Sequence, residues 1–185
     1  CHVKDMSYMF NAMLASSINL TNFNTANVTN MHSMFNYLNG SGMYSPLNLD
    51  LTMFDTSHVT DMSFMFAGAQ LTNLNLSSFN TSSVVDMSSM FSSVQSLTNL
   101  DLSNFDTSQV TTMHNMFYNM INLTGLNITS FNTSRVTNMV GMFADVKNLV
   151  SLDLSNFDTR NVTNMAGMFR GTEKLTSLNL SSFDT

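Results

Sequence analysis

The chain has 185 residues, with twelve Asp and Glu against six Lys and Arg, and its formal net charge at pH 7 is −6. The six basic residues do not form a strong cluster, which disfavours a nucleic-acid partner, and no apolar run approaches the roughly 18 residues of a membrane span, which disfavours direct membrane insertion. The single cysteine excludes a disulfide within the chain.

One motif recurs along the whole chain with a period of about 26 residues. It runs Phe-(Asn/Asp)-Thr, then Val-x-x-Met-x-x-Met-Phe, then Leu-x-x-Leu-(Asn/Asp)-Leu before the next Phe. The repeat phenylalanines are Phe23, Phe54, Phe79, Phe105, Phe131, Phe157 and Phe183. Such a period predicts a solenoid of about seven coils, in which each repeat buries its apolar residues against its neighbours.

Residues 1–185 are therefore predicted to form a single repeat domain. The chain begins inside one repeat and ends inside another, which predicts a fragment of a longer array. The repeat from Phe23 to Phe54 is longer than the others because of an insertion near residues 40–45, Gly-Ser-Gly-Met-Tyr-Ser. Insertions in solenoids loop outward from one face, and we expect the same here.

The first half of each repeat is predicted to be a short helix. Val, Met, Met and Phe recur at offsets 0, 3, 6 and 7, as in residues 110–117, and this spacing places them on one helical face. Thr107, Thr133 and Thr159 precede this segment and are candidate helix caps, because a threonine hydroxyl can accept a free N–H of the first turn.

The second half is predicted to be a short strand. Leu100 and Leu102 alternate with polar residues, which is the period of a strand with one buried face. The expected architecture is an α/β solenoid, with one short parallel strand and one short helix in every repeat of 25–26 residues. The strands would stack into one sheet backed by a row of helices.

Residues 97–111 (Leu-Thr-Asn-Leu-Asp-Leu-Ser-Asn-Phe-Asp-Thr-Ser-Gln-Val-Thr) and 157–169 (Phe-Asp-Thr-Arg-Asn-Val-Thr-Asn-Met-Ala-Gly-Met-Phe) resemble the repeats of BspA-like surface proteins. The resemblance extends over essentially the whole chain. It implies a right-handed, leucine-rich-repeat-like coil in an exported, extracellular cell-surface protein that acts in adhesion or host interaction. It also implies no enzymatic activity.

Fourteen of the 18 methionines form Met-x-x-Met pairs, a spacing that copper-binding thioether motifs share. The pairs are 6/9, 31/34, 62/65, 87/90, 113/116, 139/142 and 165/168. The repeat pattern places them beside Val and Phe on the core side. We therefore favour packing, in which methionine fills irregular space, over metal binding.

Two columns of the repeat alternate between Asn and Asp. The strand column is Asn19, Asp50, Asn75, Asp101, Asn127, Asp153 and Asn179; the column after the repeat Phe is Asn24, Asp55, Asn80, Asp106, Asn132, Asp158 and Asp184. Alternation separates carboxylates that would repel and sets an amide donor beside each acceptor, which predicts a hydrogen-bonded ladder between repeats. Calcium coordination between Asp residues is the alternative, although no calcium-loop motif is present. No other cofactor is expected.

The outward residues of the predicted strands form a field of short polar side chains, and they are our candidate ligand-binding residues. They are Asn73, Asn75, Asn99, Asp101, Ser103, Asn127, Thr129, Asp153, Ser155 and Asn179. No aromatic or Arg residue interrupts this field, so weak multivalent binding fits it better than one tight partner.

A regular threonine column, from Thr25 and Thr56 onward, resembles the flat arrays of ice-binding solenoids, although these residues also suit helix caps. Catalysis is not expected: His2, His32, His58 and His114 fall in different repeats without paired acids or a cysteine nucleophile. No catalytic or metal-ligating residue is therefore assigned.

The sequence favours a non-enzymatic surface domain that binds a host or matrix protein or a glycan through its polar sheet face. The competing interpretation is structural: a stiff stalk, or a subunit of a self-associating fibre that contacts neighbouring copies of itself. Calcium stabilisation and ice binding are minor alternatives.

Overall fold

The computed structural model describes residues 2–43 and 45–185; the single cysteine, Cys1, and Tyr44 of the insertion lie outside the described residues. Short strands recur once per repeat from the second repeat onward. They are β1 (Leu47–Leu49), β2 (Leu71–Leu74), β3 (Asn99–Asp101), β4 (Gly125–Asn127), β5 (Ser151–Asp153) and β6 (Ser177–Asn179). All pairings between them are parallel, which confirms the predicted repetition of short parallel strands.

The strands pair two by two and do not form one continuous sheet. β1 pairs with β2, β3 with β4 and β5 with β6, and no strand ladder joins these pairs among the described residues. Leu100 aligns with Leu126 and Leu152 with Leu178, so equivalent positions of neighbouring repeats lie side by side. The prediction of a single stacked sheet is therefore wrong on this side of the molecule.

A longer ladder runs along a different side of each repeat. Single parallel bridges join one residue of every repeat to its equivalent in the next, through Asp5, Asn30, Asp61, Asp86, Thr112, Asn138 and Asn164. We call these seven residues the bridge column. Because the bridges are in register from the first repeat to the last, they align the whole array.

The predicted helix of each repeat is wrong, since no helix forms among residues 2–43 and 45–185. In the Met-x-x-Met segment, alternate N–H groups bond to the next repeat: Met31 N–H donates to Asp61 O at 3.0 Å. The N–H groups between them bond three residues back, as Met34 N–H does to Met31 O at 3.2 Å. In a helix each N–H of this segment would bond to the carbonyl four residues back, so none would be left to bond to the neighbouring repeat.

Left-handed backbone explains why a helix is impossible here. The residue before the second Met has a φ between 53° and 64° in every repeat: Tyr8, Ser33, Phe64, Ser89, Asn115, Gly141 and Gly167. Four residues later φ is positive again, for example at Tyr37 and Gly68. A bond from residue i+3 to residue i with a left-handed third residue is a type II turn. Consecutive turns therefore replace the helix.

The core is a set of stacked columns of identical side chains. The phenylalanine after each Met pair forms a nearly parallel stack through all seven repeats, with centroids 5.3–6.0 Å apart. Beside it, the ten methionines from Met31 to Met142 in the pairs are fully buried, which confirms the packing role predicted for them. The helical phase was wrong, but the apolar residues were assigned correctly to the interior.

The threonine column, Thr25, Thr56, Thr81, Thr107, Thr133 and Thr159, is buried, with at most 1% of each residue exposed. Each hydroxyl donates to a backbone carbonyl of the next repeat, as Thr25 Oγ1 does to Asp55 O at 2.9 Å. Thr107, Thr133 and Thr159 are therefore not helix caps, and this buried column cannot form an exposed ice-binding array.

The insertion leaves the repeat at Asn39, whose φ is 55° and whose side chain is buried. Asn39 Nδ2 donates to Ala15 O at 2.8 Å, and Ala15 N–H donates to Asn39 Oδ1 at 2.9 Å. Residues 40–43 that follow are exposed, and the outward loop stays a prediction for the insertion as a whole. In the part of the chain that the structure describes, no helix is long and apolar enough to cross a bilayer.

Candidate functional site: the strand face

The strand face comprises the ten residues that the sequence singled out. Nine of them are exposed and Asn127 is half-buried: Asn73, Asn75, Asn99, Asp101, Ser103, Asn127, Thr129, Asp153, Ser155 and Asn179. Inward-facing leucines explain this placement, since Leu100 and Leu152 are buried between exposed neighbours in β3 and β5. Alternation along a strand then points the polar side chains outward.

Strand register brings these side chains together in pairs of repeats. Asp101 lies beside Asn127 in the β3–β4 pair, and Asp153 lies beside Asn179 in the β5–β6 pair. Asn99 lies beside Gly125, and a Cβ added to Gly125 would stand 2.3 Å from Asn99 Oδ1. The Asn99 side chain thus occupies the space that glycine leaves free, and a shallow depression forms between the two strands.

The alternating Asn/Asp residues of the strand column first of all fix their own turns. In all seven repeats Oδ1 accepts the N–H of the residue two positions later, at 3.0–3.4 Å. The column after the repeat Phe makes the same bond at 2.9–3.1 Å in six repeats. These bonds form Asx turns within one repeat, whereas the sequence predicted bonds between repeats.

The turn bonds also set the acidity of the carboxylates. The Ser103 N–H holds the pKa of Asp101 below its usual value, with a smaller contribution from the Asn127 side chain. The Ser155 N–H lowers the pKa of Asp153 in the same way, with Asn179 as the smaller contributor. The influence of the neighbouring repeat on these carboxylates is therefore secondary to that of the turn bonds. Both groups are ionised at neutral pH and leave the strand face weakly acidic.

The carboxylates of the strand face lie singly and not in clusters. Calcium takes six to eight oxygen ligands, usually including several carboxylates. Among residues 2–43 and 45–185, no group of three His, Cys, Asp or Glu side chains lies close enough to hold an ion. On the strand face each Asp is flanked by an Asn, so the arrangement offers hydrogen bonds to a ligand and no cluster of negative charge.

A second exposed cluster lies outside the strand face, and sequence reasoning missed it. Tyr8, His32 and Phe64 come from three successive repeats, and their rings meet edge to face with centroids 4.9 and 5.7 Å apart. We call these three residues the aromatic patch. All three residues lie between the two methionines of a Met-x-x-Met segment. The helix prediction assigns these positions to the outer surface and gives no reason to group them.

Repeated short parallel strands and in-register columns define the chain as a repeat protein. It belongs to the family described as Mycoplasma protein of unknown function, DUF285, whose model matches residues 1–98, 39–125 and 120–185. These overlapping matches cover the chain from end to end, in keeping with its internal repetition. No curated protein and no solved structure was found to match it.

Proposed function

We propose that this chain is a non-enzymatic, extracellular cell-surface domain that binds a host or matrix protein or a glycan through the strand face. The observation that carries the proposal is the outward row of short polar side chains, held in register by the strand pairs. Asn, Asp, Ser and Thr offer both donors and acceptors at a regular spacing, which suits a repetitive ligand contacted at several points.

We also propose that the repeats form a right-handed solenoid of the BspA-like, leucine-rich-repeat-like class, with consecutive turns in place of the helix. The bridge column supports this, because an equivalent residue of every repeat bonds to the next one. The protein would function without a cofactor, since each carboxylate of the strand face lies beside an amide and not beside a second carboxylate.

The experiment is a binding assay with mucin, matrix proteins and host cells. Alanine at Asp101 or Asp153 would also remove the turn bonds, so the sharper variant combines Asn99→Ala with Asp101→Asn and Asp153→Asn. Asparagine keeps the Oδ1 acceptor and occurs in this column in neighbouring repeats. Binding that falls in this variant supports the strand face as the contact surface.

The matched control is Asp55→Asn with Asp106→Asn. It removes two charges from the other Asx-turn column and keeps the same kind of turn bond. If the control weakens binding as much as the strand-face variant, the attraction is general charge and the proposed surface is wrong.

A stalk or a self-associating fibre subunit is the alternative function. The bridge column supports it, because a single bridge repeated from each repeat to the next suits an extended, stiff body. Failure to bind any surface ligand, together with a scattering mass that rises with concentration, would favour this alternative over adhesion.

A further inference from the structure

The aromatic patch differs chemically from the strand face and lies on the Met-x-x-Met side of the repeats. Tyr8 is 55% exposed and Phe64 is 37% exposed, although both are large apolar residues. Both occupy the left-handed turn position, where other repeats carry Ser33, Ser89 and glycine. Since small residues satisfy this turn elsewhere, the fold itself does not require two aromatic rings here.

Hydrogen bonds fix the central ring of the patch on both sides. His32 Nε2 lies 2.9 Å from Tyr8 Oη, and His32 Nδ1 lies 2.6 Å from Ser63 Oγ. Ser63 Oγ donates to Asp61 Oδ1 at 2.5 Å. The three rings therefore form a rigid surface that spans three repeats, and a ligand would not have to order them on binding.

The directions of these bonds follow from Asp61. An ionised carboxylate only accepts, so the Ser63 hydroxyl hydrogen points to Asp61 and His32 Nδ1–H must donate to Ser63 Oγ. In neutral His32 the other nitrogen, Nε2, then accepts the Tyr8 hydroxyl hydrogen. Every donor of this hydrogen-bond network is bonded within the network. The lone pairs of Tyr8 Oη and the aromatic rings are left to face outward.

The surrounding charge has the same sign. Three of the first four residues of the bridge column are carboxylates, Asp5, Asp61 and Asp86. Asp5 lies beside the patch, because Asn30 Nδ2 donates to Asp5 Oδ2 at 3.3 Å and Asn30 Oδ1 accepts the His32 N–H at 2.9 Å. Lys4 is the only basic residue before Arg135 in the sequence. Electron-rich rings, the Tyr8 Oη acceptor and three carboxylates, against the single basic side chain of Lys4, favour cations over anions at the patch.

We propose that the aromatic patch binds a cationic side chain, Arg or Lys, of a basic segment of a partner protein. The guanidinium or ammonium group would lie between the Tyr8 and Phe64 rings, beside Tyr8 Oη, and the carboxylate of Asp61, two repeats from Tyr8, would add longer-range attraction. This site is separate from the strand face, so strand-face variants should not affect it.

The test titrates a fluorescein-labelled, blocked peptide of alternating Arg, Gly and Ser into the folded chain and follows anisotropy at low and high salt. We expect saturable binding that weakens with salt. Tyr8→Ser with Phe64→Ser should weaken it about fivefold, and Asp61→Asn about threefold. Serine and asparagine occur in these columns in other repeats, at Ser33 and Asn30, so both variants should fold.

Two controls separate a site from general attraction. Tyr118→Ser removes a tyrosine at a position where another repeat has Ser92, and Asp106→Asn removes one charge from another column. Both should bind the peptide like the wild type. Equal weakening in variants and controls, or no binding of the Arg peptide, would overturn the proposal. Loss of neutral-oligosaccharide binding in the aromatic variant alone, without Arg-peptide binding, would assign the patch to a glycan instead.

Discussion

Thr107 and Asn132, which belong to successive repeats, exchange two hydrogen bonds. Thr107 Oγ1 donates to Asn132 O at 2.8 Å, and Asn132 N–H donates to Thr107 Oγ1 at 2.8 Å. The threonine is fully buried, so no water replaces either bond if the hydroxyl is lost. The buried Thr107 hydroxyl thus pairs with both backbone groups of Asn132 in the neighbouring repeat.

Thr107→Val should therefore be strongly destabilising. It keeps the shape of the side chain but leaves a donor and an acceptor of Asn132 unpaired, at about 1–3 kcal/mol for each buried group. Urea unfolding followed by circular dichroism measures the loss. The control is Thr111→Val, whose exposed hydroxyl makes one bond at 3.3 Å in a column where another repeat has Val85. A similar loss in both variants would contradict the role given to the buried column.

The Gly167→Ala substitution distinguishes the observed turn from the predicted helix, because the two imply opposite changes in stability. Gly167 has a φ of 64°, and a Cβ there would meet only the Arg170 Cβ, at 3.9 Å, so the effect comes from backbone conformation alone. We expect a loss of about 1–2 kcal/mol, because alanine disfavours left-handed backbone. A helix would instead gain about 1 kcal/mol from the same change.

The matched variant is Gly167→Asn, since asparagine tolerates this conformation and Asn115 holds the equivalent position with a φ of 55°. It should unfold nearly at the wild-type denaturant concentration. A stabilised Gly167→Ala protein would refute the turn.

Phe117 tests the phenylalanine stack. Its ring lies 6.0 Å from that of Phe91 and 5.5 Å from that of Phe143, and the residue is fully buried. Phe117→Ala should cost about 3–5 kcal/mol, because it removes a large core side chain and leaves a cavity. Thermal and denaturant unfolding should both register the change. Phe64→Ser, on an exposed phenylalanine, should cost much less, and equal losses would contradict the role given to the buried stack.

Acid should destabilise the protein in a defined pH range. Hydrogen bonds lower the pKa of several aspartates from 3.8, chiefly through the residue two positions later, and the bond from Arg160 lowers the pKa of Asp158 to about 2. A pKa that is lower in the folded state means that the stabilisation is present above about 4 and is lost as pH falls toward 2.

Melting temperatures measured between pH 7 and about pH 2 test this sign. Titration of these carboxylates should change the melting temperature little above pH 5 and should lower it below pH 4. The combined Asp101→Asn and Asp153→Asn variant should fall less steeply in the acid range. A melting temperature that stays constant down to pH 2 would rule out the turn carboxylates as a source of stability.

The repeat, its strands and its core could be predicted from the sequence, because the period and the apolar residues determine them directly. Leu100, Met113 and Phe117 are buried as expected. The spacing could not exclude a helix, because residues at offsets 0, 3 and 6 lie on the same side of the segment both in a helix and in consecutive turns. Gly141 and Gly167 at a fixed offset were the contrary signal, because glycine is unfavourable in the middle of a helix.

The exposure of the strand-face residues could be predicted from the alternation along each strand, whereas the hydrogen bonds of their Asn and Asp side chains could not. Sequence alternation predicted bonds between repeats, whereas Asp101 mainly accepts a hydrogen bond from Ser103, two positions away in its own repeat. The aromatic patch was missed because the predicted helix treats Tyr8, His32 and Phe64 as separate outer positions, whereas the register of three repeats places them side by side.

The Asx turns have a consequence for how this protein can evolve. Asn and Asp present the same Oδ1 to the turn, so one nucleotide change between their codons alters the surface by a full charge while the turn bond is retained. Asp101 and Asn127, side by side in adjacent strands, already show both choices on one backbone. The charge can thus vary independently in each repeat. The surface potential of the protein can change repeatedly during evolution while the fold is retained.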